Sequence, residues 1–287
     1  MALFWASSYP LGRHLAQFEA PLVVVWLRLL FATCFLMLIA GARGELAVPL
    51  TPRFAGQFLL LGASGFCVHN LLMMKALEYT RANAGAVLNG AIPLVIVGLD
   101  FLLFGRRLPR AGLAGVALGF LGTAVVATRG DPGSLLAGDI GRGEALFLVA
   151  VCGWAVYSMA SRPLFGRLSP LTVTTWGCAT GLLLLTPAAL AQLDAAAPLL
   201  ADTRLMAFVA AQAFVSMTLG FLWYSEGVNA IGAMNTAMYS NLVPVFAIVL
   251  AALTLGEAPD LPILLGATLV LAGLVIVNRV QRRTLAA

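Results

Sequence analysis

Charged side chains are scarce in this sequence. Aspartate, glutamate, lysine and arginine make up 10% of the residues, whereas 61% of the residues are hydrophobic. An average soluble domain carries about 25% charged residues, so the deficit excludes a soluble core and indicates that most of the chain lies in lipid. The apolar stretches run for about 20 residues, the length of a helix that crosses a hydrocarbon core of about 30 Å. The alternating segments of about ten residues that are typical of membrane β-barrels are missing.

Residues that bind metals or perform catalysis are also few. Histidine occurs only as His14 and His69, and the four cysteines lie inside apolar blocks without forming a C-x-x-C pair. We therefore interpret the cysteines as small core residues and expect neither a metal site nor another cofactor. No Gly-rich phosphate loop is present, which argues against transport driven by ATP.

The shortage of carboxylates bears on a second class of protein, the integral-membrane enzyme that acts on lipid-linked substrates. Such an enzyme needs paired carboxylates with a metal, or a nucleophile with a base. The sequence has no D-D-x-x-D and no H-E-x-x-H, so we name no catalytic residue and do not expect an enzyme. The net charge of +5 is interpreted as a signal of membrane topology, and nucleic acid is not expected as a partner.

One apolar stretch is present twice. Residues 89–105 and 240–256 each carry a proline at the fifth position, Pro93 or Pro244, and each ends in glycine. An interior proline is rare in a soluble helix because a backbone donor is lost and the ring clashes with the preceding turn, but a membrane helix tolerates one. Pro93 and Pro244 are therefore candidate conformational hinges whose freed carbonyl groups bind a solute or flex during transport. A static kink is the alternative.

The repetition extends over most of the chain. Trp5 and Trp154 are 149 residues apart, as are Pro21 and Pro170, and the two hinge prolines are 151 residues apart. Ten helices are predicted, at residues 1–18, 22–41, 54–77, 82–104, 110–128, 143–162, 169–190, 204–227, 232–255 and 261–279.

These helices divide into two repeats of five within one membrane domain. The first repeat covers residues 1–130 and the second covers residues 141–287, with the longest polar link between them at residues 129–143. Because five is an odd number, the second repeat enters the membrane from the opposite side. The predicted fold is an all-α integral membrane protein with ten transmembrane helices in two inverted repeats.

The distribution of positive charge predicts that both termini lie in the cytoplasm. With that orientation, ten arginines fall on inner segments and six basic residues fall on outer segments, in agreement with the positive-inside rule. Only four residues precede Trp5, fewer than the apolar run before its counterpart Trp154, so we expect the first helix to lack a few residues. A signal peptide is not expected because no cleavage-like site follows this helix.

Four short motifs carry a resemblance to a known family. They are Trp5-Ala-Ser-Ser-Tyr-Pro, Trp26-Leu-Arg-Leu-Leu-Phe-Ala, Ala76-Leu-Glu-Tyr-Thr-Arg-Ala-Asn-Ala-Gly-Ala and Gly256-Glu. With the ten-helix pattern, the chain resembles the EamA-type branch of the drug/metabolite transporter superfamily, and within it the YddG-type exporters of aromatic and other amino acids. The resemblance implies export of small metabolites from the bacterial inner membrane.

Polar residues inside the bilayer usually face the interior of the helix bundle, and they define a candidate substrate site. Aromatic rings mixed with hydrogen-bonding groups suit an amphipathic solute, because rings cover an apolar side chain and polar groups hold ammonium and carboxylate. The candidate residues, by predicted helix, are Trp5, Ser8 and Tyr9 in the first; His69 and Asn70 in the third; Trp154, Tyr157 and Ser158 in the sixth; and Tyr239 and Asn241 in the ninth.

Other placements stay open for several of these side chains. Trp and Tyr also form interfacial belts, which fits Trp223 and Tyr224 near a helix end at least as well as a cavity does. His69 is equally compatible with a hydrogen bond to a neighbouring helix. Arg28 in the second helix could anchor a carboxylate, but a long side chain there can snorkel to the membrane surface, and we favour a structural role.

The sequence thus predicts a transporter in the lipid bilayer that exports amino acids, with an aromatic bias, by alternating access. Export of other small metabolites or drugs is the alternative. The first helix has no carboxylate of the kind that couples drug to proton movement in small multidrug antiporters, so that route of coupling is not expected here. A facilitator, or proton coupling through His69 or Asp100, stays open. The sequence leaves the oligomeric state open, and a monomer is sufficient for this architecture.

Overall fold

The computed structural model describes residues 1–18, 20–49, 51–105, 109–131, 133, 140–165, 167–194, 196–231, 236 and 239–286. All regular secondary structure within these ranges is helical. The α-helices are α1 Ala2–Ala6, α2 Ser8–Leu15, α3 Pro21–Ala42, α4 Pro52–Leu61, α5 Asn70–Ala76, α6 Ala82–Asn89, α7 Ile92–Phe104, α8 Arg110–Ala127, α9 Arg142–Phe165, α10 Pro170–Leu190, α11 Ala197–Ala201, α12 Thr203–Gln212, α13 Gly220–Ile231, α14 Val243–Leu255 and α15 Leu261–Ala286.

Eight stretches of the described residues are long and apolar enough to cross a membrane. Each coincides with one of the ten predicted helices to within a few residues. The stretches are Pro21–Ala42, Pro52–Ala76, Ala82–Leu103, Arg110–Ala127, Arg142–Phe165, Pro170–Leu190, Thr203–Val228 and Leu261–Val280.

Within the described ranges, the other two predicted helices, the first and the ninth, form only shorter helices. The first is divided at Ser7 into α1 and α2. The apolar helix at Ser240–Leu255 also falls below spanning length, and residues 232–235, 237 and 238 at the predicted start of this helix lie outside the described ranges. Residues 132 and 134–139 of the predicted link lie outside them as well.

Pro93 and Pro244 do not lie in the middle of unbroken helices, as the sequence pattern suggested. The chain turns at Gly90 and Ala91, and Pro93 is in the first turn of α7. A 3₁₀ turn precedes α14, and Pro244 is in its first turn. A proline in the first turn removes only an N–H that has no intrahelical partner, so it opens a helix without strain.

Glycine ends both of these helices, as predicted. Gly105 follows α7 with φ of 63° and Gly256 follows α14 with φ of 68°. Positive φ costs glycine little because it has no Cβ, so a glycine here closes the helix in a left-handed cap.

Two segments of the bundle are wound as π-helix, which was not predicted. They are Gly62–His69, between α4 and α5, and Ala213–Leu219, between α12 and α13. Their first residues, Gly62 and Ala213, stand 151 residues apart, the same spacing as Pro93 and Pro244. Each wide turn therefore occurs at the corresponding place in its half of the sequence.

Glycines bring helix backbones together at two contacts. A Cβ on Gly62 would lie 2.6 Å from the backbone nitrogen of Gly181 in α10, and one on Gly65 would lie 2.6 Å from the Tyr157 ring in α9. Side chains larger than hydrogen would hold these helices apart. The first π segment is thereby fixed against both α9 and α10.

The cysteines divide into two groups. Cys67 and Cys178 are buried, as expected, and Cys178 accepts a hydrogen bond from Thr33 at 3.3 Å. Cys34 and Cys152 are exposed, so the prediction that all four are core residues was wrong for these two. Both lie on helices whose apolar residues are spread around the helix axis, so composition does not show which face turns inward.

Candidate functional site

Trp154 of α9 is at the centre of a cluster of aromatic rings inside the bundle. Its ring centroid lies 4.8 Å from that of His69, 4.8 Å from that of Tyr157 and 6.1 Å from that of Phe221 in α13. Phe66 contacts Tyr157 edge-on at 5.6 Å. These distances fall in the range in which rings attract one another, so the cluster is a contiguous aromatic wall built from both halves of the chain.

Trp5 joins this cluster from the first helix. Its ring lies 5.3 Å from Phe221 and 5.6 Å from Tyr224. Of the two residues that fitted an interfacial belt, Tyr224 thus contacts the interior, whereas Trp223 is 56% exposed. Sequence reasoning missed Phe221, although it stands 151 residues after Asn70, and that spacing could have identified it.

His69 is buried and bonded to the neighbouring helix α9. Its Nδ1 lies 2.9 Å from the carbonyl oxygen of Ala150. The imidazole ring also contacts the ring of Trp154. The interpretation of His69 as bonded to a neighbouring helix is therefore confirmed, and its part in a substrate site stays a prediction.

The polar side chains of two further predicted residues form hydrogen bonds to the backbone of their own membrane-spanning helices. Asn70 donates from Nδ2 to the carbonyl oxygen of Gly65 at 2.9 Å, inside the π segment. Ser158 donates to the carbonyl oxygen of Trp154 at 2.8 Å. These side chains stabilise the helices that carry the cluster.

The remaining predicted residues lie apart from the cluster or at its edge. Tyr9 is buried and stacks on Phe147 at 6.4 Å. Tyr239 is 57% exposed, and Asn241 is half-buried in the 3₁₀ turn before α14. Tyr239 is therefore not brought together with the other ring residues.

Ser8 belongs to a separate buried polar cluster around Arg28. Arg28 Nε donates to Gln212 Oε1 at 2.5 Å and Nη2 lies 3.4 Å from Ser8 Oγ. Gln212 Nε2 donates to Ser8 Oγ at 3.1 Å and to Ser216 Oγ at 2.8 Å. Arg28 is 2% exposed, so it does not snorkel to the membrane surface, and that alternative was wrong.

The turns that carry Pro93 and Pro244 meet across the two halves. A Cβ on Gly90 would lie 3.1 Å from Pro244 Cγ and 3.3 Å from Val270 Cγ1. The break in the first half is therefore packed directly against the proline of the second half.

Charged side chains join the halves at one end of the bundle. Arg13 lies 3.8 Å from Glu257, whose other oxygen accepts from the backbone N–H of Ala82 at 2.8 Å. Arg81 is paired with Asp260. A cavity of about 220 Å³ opens here, lined by Arg13, Tyr79, Thr80, Arg81, Ala84, Val126, Arg129, Glu144, Asp260, Pro262 and Ile263.

A second cavity of about 590 Å³ lies beside it, lined by Arg13, Ala16, Gln17, Lys75, Glu78 and Tyr79. Lys75 and Glu78 form an ion pair at 2.6 Å, as expected for charges near a helix end. Both of these cavities are therefore at the charged end of the bundle and not within the aromatic cluster.

The opposite end of the bundle has its own contacts between the halves. Arg162 Nη1 donates to both oxygens of Asp100 at 2.9 Å. Arg43 pairs with Glu226 at 2.5 Å.

Known proteins resemble this chain over nearly its whole length. The sequence profile of the EamA-like transporter family matches residues 1–128 and again residues 141–279. The "Uncharacterized transporter YyaM" of Bacillus subtilis (strain 168) is 24% identical, over 98% of this chain and 92% of that protein. The "Probable terminal-alkyne amino-acid exporter" of Streptantibioticus cattleyicolor is 27% identical, over 96% of this chain and 90% of that protein.

Two more relatives agree with this placement. The "Uncharacterized inner membrane transporter YicL" of Salmonella typhimurium is 24% identical, over 98% of this chain and 94% of that protein. A crystal structure that is 20% identical covers 98% of this chain and 99% of the other with a TM-score of 0.63, which shows a shared fold. The profile spans nearly the whole sequence, and the chain is a multi-pass membrane protein that belongs to the EamA-like transporter family.

Proposed function

We propose that the protein exports amino acids, aromatic ones among them, or facilitates their passage across the bacterial inner membrane by alternating access. The observation that carries this proposal is the ring cluster at Trp5, His69, Trp154, Tyr157 and Phe221. Stacked and tilted rings provide a surface for an apolar or aromatic side chain. The proposal follows the resemblance to YddG-type exporters, and one relative is named an amino-acid exporter.

The cluster is divided between the proposed halves of the transporter. Trp5 and His69 come from the first, whereas Trp154, Tyr157 and Phe221 come from the second. A solute held among these rings would contact both halves, so a movement of one half against the other would change its access to either side of the membrane. The proposed binding site is therefore at the interface that alternating access needs.

Reciprocal glycine contacts support two inverted repeats of five helices. A Cβ on Gly115 would lie 2.9 Å from the carbonyl oxygen of Gly273, and one on Gly266 would lie 2.8 Å from that of Gly122. Gly115 corresponds to Gly266 and Gly122 to Gly273 by the spacing of 151 residues. Exchanging the halves converts one contact into the other, as a two-fold relationship requires.

The charged contacts at the two ends act as gates in this proposal. Arg13 with Glu257, and Arg81 with Asp260, close one end, and Asp100 with Arg162 closes the other. In the orientation with both termini in the cytoplasm, the Asp100–Arg162 pair is on the cytoplasmic side. Access to the ring cluster from either side then requires separation of one set of pairs.

Export of other small metabolites or drugs is the second candidate function. The observation in its favour is that the polar groups of His69, Asn70 and Ser158 are bonded within the protein. The rings alone would then select for apolar surface and not for an ammonium or carboxylate group.

Solute efflux from liposomes tests the proposal. Purified protein is reconstituted in vesicles loaded with labelled phenylalanine, threonine or glucose, and efflux is followed with and without a pH gradient. We expect phenylalanine to leave fastest, threonine more slowly and glucose at the rate of protein-free vesicles. Efflux without any gradient identifies a facilitator, whereas acceleration by a pH gradient identifies coupling to protons.

The outcomes separate the candidates. Efflux of phenylalanine and threonine but not glucose supports amino-acid export. Retention of both amino acids, together with efflux of a hydrophobic dye, supports the second candidate. Equal efflux of all three solutes that also occurs from protein-free vesicles indicates leaky vesicles. Equal efflux that requires the protein contradicts both candidates.

A further inference from the structure

Arg28 is a charged group in the N-terminal half of α3 and is enclosed by protein. It is 2% exposed and one of the largest fully buried side chains. Its partners are neutral: Gln212 Oε1 at 2.5 Å and Ser8 Oγ at 3.4 Å. A buried guanidinium with neutral partners retains most of the cost of its removal from water.

No carboxylate balances this charge within the described part of the chain. The ion pairs found there involve other arginines and Lys75, and none includes Arg28. Arg28 Nη1 is buried and has no hydrogen-bond partner. A donor on a charged group that is left unpaired in the interior is among the most costly polar defects, and an anion would remove it.

A second unpaired donor belongs to Trp5. Its Nε1 is also buried without a hydrogen-bond partner. Trp5 precedes Ser8, the arginine's neighbour, by three residues, and its ring contacts Phe221 in the aromatic cluster.

The polar groups next to Arg28 are already hydrogen-bonded to one another. Gln212 Nε2 donates to Ser8 and to Ser216, and Ser216 donates to the carbonyl oxygen of Gln212. This network holds the guanidinium by its Nε and leaves Nη1 for another partner. The guanidinium group of Arg28 is therefore held in one position.

We propose that Arg28 binds the carboxylate group of the transported solute, with Nη1 as the donor, while the aromatic cluster covers the solute's apolar side chain. This inference rests on the proposed function and specifies its substrate class: small molecules that carry a free carboxylate beside an apolar group. The planar guanidinium fork matches a carboxylate better than a spherical ion. Trp5 Nε1 is a second donor for the same solute when the halves separate.

Binding of four matched compounds tests the site. L-phenylalanine, 3-phenylpropionate, phenylalaninamide and phenethylamine share one ring but only the first two carry a carboxylate. Affinity for purified protein in detergent is measured by calorimetry in sodium fluoride, because its small hydrated anion carries no carboxylate. We expect the two carboxylates to bind about tenfold more tightly than the two compounds without one, since a charge-assisted hydrogen bond contributes that much.

Variants of the polar cluster identify the group responsible. Arg28→Gln should remove the preference for carboxylates and leave the affinity for phenylalaninamide unchanged. Gln212→Glu places a carboxylate beside Arg28, and it should keep the protein folded while weakening the binding of carboxylates about tenfold by competition. This second variant decides the question if Arg28→Gln does not fold. Trp223→Phe, on the exposed surface, is the matched control and should change nothing.

Several results would overturn the inference. Wild-type protein that binds the four compounds equally, or an Arg28→Gln variant that weakens all four alike, would make Arg28 a structural residue. If phenylalanine moves in liposomes but the carboxylate preference survives Arg28→Gln, the site is wrong and the proposed function stands. If 3-phenylpropionate binds through Arg28 but no amino acid binds or moves, the site stands and the amino-acid assignment is wrong.

Discussion

Gly115 faces the carbonyl oxygen of Gly273 so closely that a Cβ at position 115 would stand 2.9 Å from it. The same Cβ would also lie 2.9 Å from Ile276 Cγ2. Backbone atoms cannot move aside as the end of a flexible side chain can, so α8 and α15 can approach this closely only with glycine at the contact.

Gly115→Ala should therefore destabilise the protein. The added methyl group forces α8 away from α15, and we expect the free energy of unfolding to fall by about 1–3 kcal/mol. Thermal unfolding in detergent, followed by tryptophan fluorescence, measures the change. Gly98→Ala is the matched control, because a Cβ there has no atom within 4 Å and alanine favours the helix. Equal melting temperatures for the two variants would contradict the glycine contact.

Trp154→Ala should slow phenylalanine efflux from liposomes by about tenfold or more, because the central ring of the cluster is lost and a cavity remains. Trp154→Phe keeps a ring and should retain an intermediate rate. The control is Trp223→Ala, whose ring is 56% exposed. If Trp154→Ala is folded and transports phenylalanine at the wild-type rate, the aromatic cluster is not part of the binding site.

The Asp100–Arg162 pair should control access from its end of the bundle. Arg162→Ala removes a contact in which one nitrogen donates to both carboxylate oxygens, and it should shift the population towards conformations open at that end. The measurement is the labelling rate of Ser161→Cys, a buried position beside the arginine, by a water-soluble thiol reagent in a chain with the native cysteines replaced.

Labelling of Ser161→Cys should accelerate about threefold or more when Arg162 is alanine, which corresponds to the upper range for a partly exposed ion pair. Arg53→Ala, an exposed arginine at the start of α4, is the control and should leave the rate unchanged. An unchanged rate in Arg162→Ala would show that this pair does not hold the end closed.

Glu144 should tolerate amide substitution but not truncation. Its side chain is 2% exposed. Oε1 accepts from Thr80 at 2.8 Å and Arg129 at 3.3 Å, while Oε2 is buried without a partner. Glu144→Gln keeps the acceptor and removes a buried charge, so its free energy of unfolding should stay within about 1 kcal/mol of wild type. Glu144→Ala leaves the Thr80 hydroxyl unpaired and should lose about 1–3 kcal/mol. Melting temperatures in detergent compare the two, and a Gln variant as unstable as the Ala variant would contradict this reasoning.

The sequence predicted the features that depend on local backbone chemistry. Gly105 and Gly256 located the C-terminal ends of α7 and α14, because glycine readily adopts positive φ. Pro93 and Pro244 were expected inside longer helices and instead open α7 and α14. Apolar blocks located the eight spans, since length and composition suffice for that.

The features that were missed depend on packing between helices. The π segment at Gly62–His69 lies where Gly62 and Gly65 approach α10 and α9, a contact that no local pattern encodes. Burial of Arg28 was missed because α3 is apolar all round and has no polar stripe to show which side faces the other half. Among the candidate site residues, Trp5, His69, Trp154 and Tyr157 come together, while Tyr239 is exposed.

The two π segments have a mechanical consequence for any movement of the bundle. A π turn contains one residue more than the α-helical turn it replaces, so each of these helices carries a spare residue near its middle. If the π turn shifts along the helix by one turn, the residues through which it shifts rotate by about 100° about the helix axis. Both ends of the helix keep their positions. His69 and Phe221 stand at or just after the ends of these segments. The rings they contribute could thus be turned into or out of the cluster while the helix ends stay anchored at the membrane surfaces.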